Sequence, residues 1–159
     1  MRKAMRRNDR EITDVQMIES FIAKEKILRV GFCDNGEVYI VPVNYGYTLN
    51  NGKYTFYFHG ASAGRKYELS KDSPSVGFEI DGGYELITAD NACGHSAKFQ
   101  SVIGNGVLSL VTDNAEKKNA LNCIMKQASG KTNWEYSGEM LDKTAIFRLE
   151  VRNMSCKAK

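Results

Sequence analysis

Three turn signals between residues 34 and 83 restrict the fold more than any other feature of the sequence. Residues 34–36 (DNG), 50–52 (NNG) and 81–83 (DGG) each separate runs rich in β-branched and aromatic residues. Asn-Gly and similar pairs favour tight turns whose twist matches that of two antiparallel strands. The sequence therefore predicts an antiparallel sheet built from hairpins.

The runs on either side of these turns are predicted as strands. Residues 27–32, 38–47 and 54–58 are expected to form a three-stranded meander, because two short turns join them. Residues 75–80 and 84–89 repeat the pattern and predict a second hairpin.

The second half of the chain adds two further strands. Residues 98–112 form a long β-like run in which Gly104 and Gly106 mark points where a strand bends or bulges. Residues 145–151 alternate between apolar and polar side chains, as a half-buried strand does. Bent antiparallel strands are typical of small barrels, and we expect this sheet to close into one.

Helical spacing of apolar residues occurs at two places. A first helix is predicted over residues 14–24 after a capping-box pattern, and a second opens at Asp113 and continues to about Ala128. A third, short helix is expected to begin near Gly64. The sequence therefore predicts a single α+β, mainly β, domain over residues 1–159, with helices that flank the sheet.

Composition excludes several classes of protein. A chain of 159 residues with 42% hydrophobic residues has the length and apolar content of one globular domain. Its apolar runs are shorter than the ~20 residues of a membrane helix and its start lacks a secretory signal, so we expect a cytoplasmic protein with no membrane partner. The net charge of +3 does not indicate a nucleic-acid partner. The basic residues within 1–10 are expected to form a solvated tail.

No metal site is expected. Cys93 and His95 lie close together in the sequence, but two further ligands at suitable spacing are missing. The four cysteines are widely spaced, and we expect them to be reduced.

The segment FYFHGASAGRK, residues 56–66, is the strongest candidate for a binding site. A strand is expected to end near His59, and a helix is expected to start so that Arg65 and Lys66 lie in its first turn. The start of a helix favours an anion, whereas side-chain cations there are unfavourable without one. Small residues let a ligand approach the backbone, and Ser62 offers a hydroxyl donor. Two interpretations remain open: the two cations bind a phosphate group, or they are solvated helix residues.

Five segments together resemble the FMN-binding split-barrel proteins related to pyridoxamine 5′-phosphate oxidase, and within that group the nitroimidazole-resistance (Nim) branch. The segments are MRRNDREITD, GEVYIVPVNYGY, YFHGASAGRK, VGFEID and FQSVIGNG, and the resemblance covers roughly residues 5–152. It implies an antiparallel split β-barrel with flanking helices. It also implies a homodimer with flavin sites at the subunit interface.

The resemblance also implies roles for individual residues. Arg65 and Lys66 match the cations that hold the FMN phosphate, and His59 and Gly60 match the strand end near the flavin. Further positions match segments along the cofactor: Val41, Pro42, Val43, Asn44, Ser101 and Val102. Because Pro42 has no N–H group to donate, its strand is expected at a sheet edge or locally unpaired.

His59 has two open interpretations. It is either a strand-end histidine bonded to the backbone, or a group that contacts flavin or substrate and donates a proton near neutral pH. Because the resemblance places it near the flavin, we take His59 as the candidate catalytic residue. Tyr45, which could equally be core packing, and Trp134 are weaker candidates for contact with substrate. For Trp134, packing as an anchor at the dimer interface is the simpler explanation.

The predicted function is that of an FMN-dependent oxidoreductase, similar to a nitroimidazole reductase or a flavin reductase. Such an enzyme passes hydride from NADH or NADPH through FMN to a small aromatic acceptor. The chain has no G-x-G-x-x-G fingerprint, so the donor is expected to bind transiently. The C-terminal stretch that holds the substrate phosphate in the parent oxidases is missing, so vitamin B6 oxidation is not expected. The alternative is a non-catalytic module that binds flavin or haem on the same barrel.

Overall fold

The computed structural model describes residues 5–159, which form eight β-strands and four α-helices. The strands are β1 (Glu11–Ile12), β2 (Ile27–Asp34), β3 (Glu37–Asn44), β4 (Gly46–Asn50), β5 (Lys53–Ala61), β6 (Ser75–Ile87), β7 (Ser96–Leu110) and β8 (Thr144–Ala158). The helices are α1 (Val15–Lys24), α2 (Arg65–Ser70), α3 (Asn114–Ser129) and α4 (Gly138–Lys143). Part of the predicted basic tail, residues 1–4, lies outside the described residues; within its remainder, residues 8–10 form a 3₁₀ turn.

The strands form one antiparallel sheet that curves around the core but does not close. Within residues 5–159 the hydrogen-bonded order is β3-β2-β6-β7-β8-β5-β4, and β1 pairs with the far end of β8. β3 and β4 are the two edges and no ladder joins them, so the expectation of a closed barrel is wrong. The mainly β, α+β class and the split antiparallel architecture with flanking helices are confirmed.

The break between β3 and β4 explains why residues 38–47 do not form one strand. β3 pairs with β2, whereas β4 pairs with β5, so the predicted meander of 27–32, 38–47 and 54–58 is wrong. Tyr45, the residue between the two strands, is 1% exposed, and its hydroxyl donates to the Ile22 carbonyl at 2.6 Å. This buried contact with α1 holds the chain where it crosses from one edge of the sheet to the other.

The predicted turn at residues 81–83 is also wrong. β6 continues through these residues to Ile87, with a register shift between Gly82 and Glu85. The Glu25 carboxylate lies close to Gly82, 2.3 Å from where a Cβ atom would be. The glycine pair therefore marks a β-bulge.

The aromatic side chains of the strands form the centre of the core. Phe56, Phe58 and Phe147 are fully buried, and the rings of Phe58 and Phe147 stack with their centres 4.9 Å apart. The bend predicted in β7 is confirmed as a register shift at Gly106. The last strand, β8, extends to Ala158 and is longer than the alternating pattern predicted.

The predicted helices are confirmed, and one further helix is present. Asp14 and Asp113 cap α1 and α3 by accepting hydrogen bonds from backbone N–H groups three residues later. α2 begins at Arg65, directly after Gly64. Helix α4 was not predicted, because six residues are too few to show an apolar repeat. None of the helices in residues 5–159 is long and apolar enough to cross a membrane.

Candidate functional site

The strongest sequence candidate, residues 59–66, lies where β5 passes into α2. β5 remains paired with β8 up to Ala61, so His59 and Gly60 belong to the strand. Gly64 has a positive φ of 92° and turns the chain into the helix. We call residues 59–66 the β5–α2 corner.

Lys66 is the half-buried cation of this corner. Its Nζ atom lies 5.0 Å from the centre of the Phe147 ring and 5.6 Å from that of Phe58. Burial lowers the pKa of Lys66 below its ordinary value. Within the described part of the chain no carboxylate forms an ion pair with it. A partly desolvated cation without a counter-charge is a favourable place for an anion to bind.

Arg65, the adjacent cation, differs from Lys66 because it is paired with carboxylates. Its Nε donates to Asp34 Oδ2 at 3.0 Å and its Nη1 donates to Glu37 Oε1 at 3.2 Å. The Nη2 atom lies 2.9 Å from Asp34 Oδ2 and 3.0 Å from Glu37 Oε2, and the guanidinium group stacks 4.5 Å from the centre of the Tyr39 ring. Hydrogen bonds to Glu37 and Asp34 raise the pKa of Arg65. A phosphate at Arg65 would therefore compete with two carboxylates.

His59 is accessible and close to Lys66 in the same corner. Its side chain is exposed and forms no hydrogen bond within residues 5–159, so the backbone-bonded interpretation is not observed. Partial burial of the ring, followed by the charge of Lys66, lowers the pKa of His59 below 6.5. The imidazole is therefore mainly neutral at pH 7.

The segment predicted to run along the cofactor is the edge strand β3. Val41 and Val43 pack towards the core, whereas Pro42 and Asn44 are exposed. Asn44 Nδ2 donates to the Lys26 carbonyl at 3.2 Å. β3 pairs only with β2 among the described strands, which confirms the edge position expected for Pro42.

The remaining predicted contacts are spread over other elements. Ser101 and Val102 lie on β7, and β2 and β6 separate that strand from β3. The Val102 side chain is fully buried, and its backbone lies between Ile80 of β6 and Cys156 of β8 in the sheet. Ser62, in the corner, is exposed and borders a cleft of about 240 Å³ that Lys117 also lines.

The two weaker substrate candidates lie away from the corner. Tyr45 belongs to the core and is 1% exposed, so direct contact with substrate is excluded in this conformation. Trp134 lies in the loop before α4, as predicted; it is 41% exposed, and its Nε1 donates to the Lys131 carbonyl at 3.0 Å.

Sequence reasoning missed Asp34 and Glu37. Both flank the turn at 34–36, where an acidic residue is explained by turn chemistry alone. No local pattern links that turn to Arg65, about thirty positions later in the chain. Only the fold reveals this contact.

An exposed apolar surface lies on the outer side of the sheet beside β3. Val38, Ile40 and Ile103 are 71%, 61% and 57% exposed. A shallow groove of about 280 Å³ lies between Ile40 and Ile103, and its floor includes Gly31, Gly77 and Gly104. We call this surface the apolar face.

Metal-ligating side chains are not grouped in the part of the chain that is described. Residues 5–159 contain no cluster of three His, Cys, Asp or Glu side chains that could hold a metal ion. All four cysteines are free, and Cys156 is buried. The sequence-based expectation of no metal stays a prediction.

Three solved structures resemble this fold over most of its length. A candidate 5-nitroimidazole antibiotic resistance protein from Bacteroides thetaiotaomicron is 29% identical, with a TM-score of 0.79 over 93% of this chain and 86% of that one. An FAD- and haem-binding protein from Mycobacterium smegmatis is 15% identical, with a TM-score of 0.82 over 94% and 73% of the two chains. The flavocytochrome Anf3 from Azotobacter vinelandii is 21% identical, with a TM-score of 0.79 over 98% and 72%. At these lower identities the last two similarities show the fold alone.

The family assignment follows from the sequence itself. No curated protein sequence matches this chain. A family model described as pyridoxamine 5′-phosphate oxidase matches residues 14–158, nearly the whole chain. The chain therefore belongs to the pyridoxamine 5′-phosphate oxidase family.

Proposed function

We propose that this protein binds flavin mononucleotide and uses it as the cofactor of an oxidoreductase. The observation that carries the proposal is Lys66, a half-buried cation with no carboxylate partner among the described residues. A phosphate group supplies the missing counter-charge. Membership of a family named after a flavin-dependent oxidase supports FMN as the molecule that bears this phosphate.

The shape of the β5–α2 corner, like the charge of the corner, suits a phosphate group. A Cβ atom on Gly60 would lie 3.0 Å from Lys66 Nζ, so glycine leaves the space that the ammonium group occupies. Residues 61–65 are exposed, which opens the corner to a ligand from solvent. The Ser62 hydroxyl is a further donor for a phosphate oxygen.

We assign the flavin ring to the free edge of β3. Backbone groups on the unpaired side of an edge strand are available to the polar atoms of a ligand. Pro42 has no N–H group, and the N–H groups of Val41 and Val43 face β2, so Asn44 supplies the backbone N–H donor of the segment at the free edge. Val41, Pro42 and Val43 remain predicted contacts of the ring. Ser101 and Val102 remain predicted contacts of the cofactor.

We propose a homodimer whose interface includes the apolar face. Val38, Ile40 and Ile103 form an exposed apolar surface, which is typical of an interaction surface. The predicted cofactor contacts lie on separate elements of one chain. A second copy related by a two-fold axis would bring its own elements to the free edge of β3, which supports flavin sites at the interface.

Bound FMN would supply two-electron transfer from NADH or NADPH to a small aromatic acceptor. Both donors are present in the cytoplasm, the compartment that the sequence predicts. We propose that His59 gives a proton to that acceptor. Because its pKa is lowered, the protonated ring is a stronger acid than an ordinary histidine, although it is scarcer at pH 7. The description of the Bacteroides structure supports a nitroimidazole as one acceptor.

A non-catalytic module that binds flavin or haem is the second candidate. One similar structure is described as an FAD- and haem-binding protein and another as a flavocytochrome. Haem carries carboxylates but no phosphate, and the β5–α2 corner offers the compact cation site that suits a phosphate. The corner therefore favours flavin over haem.

The visible absorption spectrum of the freshly purified protein tests the proposal. We expect two flavin bands and FMN as the molecule released by heat, followed by bleaching with NADH or NADPH and reoxidation by a nitroaromatic compound. A haem band, or a colourless protein that does not bind added FMN, would overturn the FMN assignment. A flavin that no nicotinamide donor reduces would select the non-catalytic alternative. Pyridoxamine 5′-phosphate, added as a control substrate, should not be oxidised.

A further inference from the structure

The guanidinium group of Arg65 pairs with two carboxylates of the hairpin between β2 and β3. Asp34 and Glu37 face each other as the last pair of this hairpin, and both carboxylates contact the guanidinium group at 2.9 to 3.2 Å. One positive charge therefore meets two negative charges. This three-residue cluster has a net charge of −1 and repels a phosphate.

The hairpin holds both acids in place. Asn35 and Gly36 have positive φ angles of 51° and 88°, which are the values of a tight two-residue turn. The Tyr39 ring covers the guanidinium group of Arg65 at 4.5 Å from the ring centre. Arg65 therefore cannot turn towards a ligand without breaking ion pairs and leaving an aromatic contact.

We propose that Asp34 and Glu37 hold Arg65 away from the flavin phosphate, so that Lys66 is the main phosphate cation and the acid pair lowers the affinity of the protein for FMN. This inference rests on the proposed FMN site, and it assigns the acid pair a role in setting how tightly that site holds its cofactor. A site weakened in this way exchanges its flavin with the medium more readily than one that uses both cations.

The opposite role for the same contacts predicts the opposite result. If Asp34 and Glu37 oriented Arg65 for phosphate binding, their removal would weaken the binding of FMN. If they restrain Arg65 and repel the phosphate, their removal strengthens it. The sign of the change therefore separates the two roles.

The test compares FMN with riboflavin, which carries the same ring without the phosphate. Dissociation constants are measured by quenching of flavin fluorescence for the wild-type protein and for the D34N/E37Q double variant. We expect FMN to bind about tenfold more tightly to the variant, as two exposed ion pairs of ordinary strength allow. Riboflavin should bind equally to both proteins. The gain for FMN should shrink at high salt, because Glu37 is exposed and Asp34 is partly exposed.

A matched pair of single variants controls for the loss of a surface carboxylate. Glu68 on α2 forms an exposed ion pair with Lys71 at 2.7 Å, and it is about as exposed as Glu37. We expect E37Q to tighten FMN binding and E68Q to leave it unchanged. Unchanged or weaker FMN binding by E37Q and D34N/E37Q would overturn the inference. A wild-type protein that binds FMN no better than riboflavin would instead overturn the proposed phosphate site, and the inference with it.

Discussion

Replacement of Lys66 by methionine tests the phosphate site most directly. A methionine side chain is close in length to lysine and keeps an apolar stem against the Phe58 and Phe147 rings, but it lacks the ammonium group. A charge-assisted hydrogen bond to a phosphate contributes about 1.5–3 kcal/mol. Its loss should weaken FMN binding about 10- to 150-fold, since each 1.4 kcal/mol changes affinity about tenfold.

The same substitution should barely change the stability of the ligand-free protein. Burial lowers the pKa of Lys66, so the charge of this residue destabilises the folded state. The effect is small because the ammonium group is partly solvated. Removal of the charge therefore stabilises the folded protein slightly, whereas loss of the cation–π contact with Phe147 destabilises it by about 0.5–1 kcal/mol. We therefore expect the free energy of unfolding to change by less than about 1 kcal/mol.

Fluorescence titrations with FMN and riboflavin, together with urea unfolding, measure both effects. Lys71 provides the matched control, because it lies just after the same helix, 5.1 Å from the centre of the Tyr67 ring. K71M should leave the FMN affinity within about twofold, as an exposed ion pair contributes little. A K66M protein that binds FMN as tightly as the wild type would refute the assignment of the phosphate to Lys66. So would a K66M protein whose affinity for riboflavin falls as much as its affinity for FMN.

Three further predictions concern the pH dependence, the interface and the core. The rate of acceptor reduction should fall as the pH rises through a pKa below 6.5, because only the protonated His59 donates, and H59Q should lose this dependence in a pH profile. The depressed pKa also means that the unfolded chain binds the proton more readily, so stability should fall as the pH drops below about 6.5, and less so in H59Q. I40D should convert the proposed dimer to a monomer in light scattering, whereas V15D, at an equally exposed apolar residue on α1, should not. Q127L should cost about 2–3 kcal/mol in urea unfolding, because the Gln127 amide bonds to the Ile22, Ala23 and Glu25 carbonyls at the end of α1, and of these only Ile22 keeps another side-chain donor, the Tyr45 hydroxyl.

The parts of the fold that depend on neighbouring residues were predictable, and those that depend on distant contacts were not. The capped start of α1 at Asp14 and the edge position of Pro42 follow from local chemistry, and the structure confirms both. The crossing at Tyr45 depends on the carbonyl of Ile22, which lies 23 residues earlier. The bulge at Gly82 belongs to the pairing of β6 with β7, a distant segment of the chain, and glycine pairs look alike in a turn and in a bulge.

The two adjacent cations of the β5–α2 corner show that the site, like the fold, could be predicted only where it depends on neighbouring residues. In the sequence Arg65 and Lys66 form one basic pair with one expected role. In the fold the Arg65 side chain reaches out to the acids of the β2–β3 hairpin, whereas Lys66 lies over the core aromatic rings without a counter-charge among the described residues. Since a phosphate binds where positive charge is not already neutralised, the two positions are not equivalent. Affinity for the phosphate should therefore depend on Lys66 directly, and on Arg65 only after Asp34 and Glu37 release it.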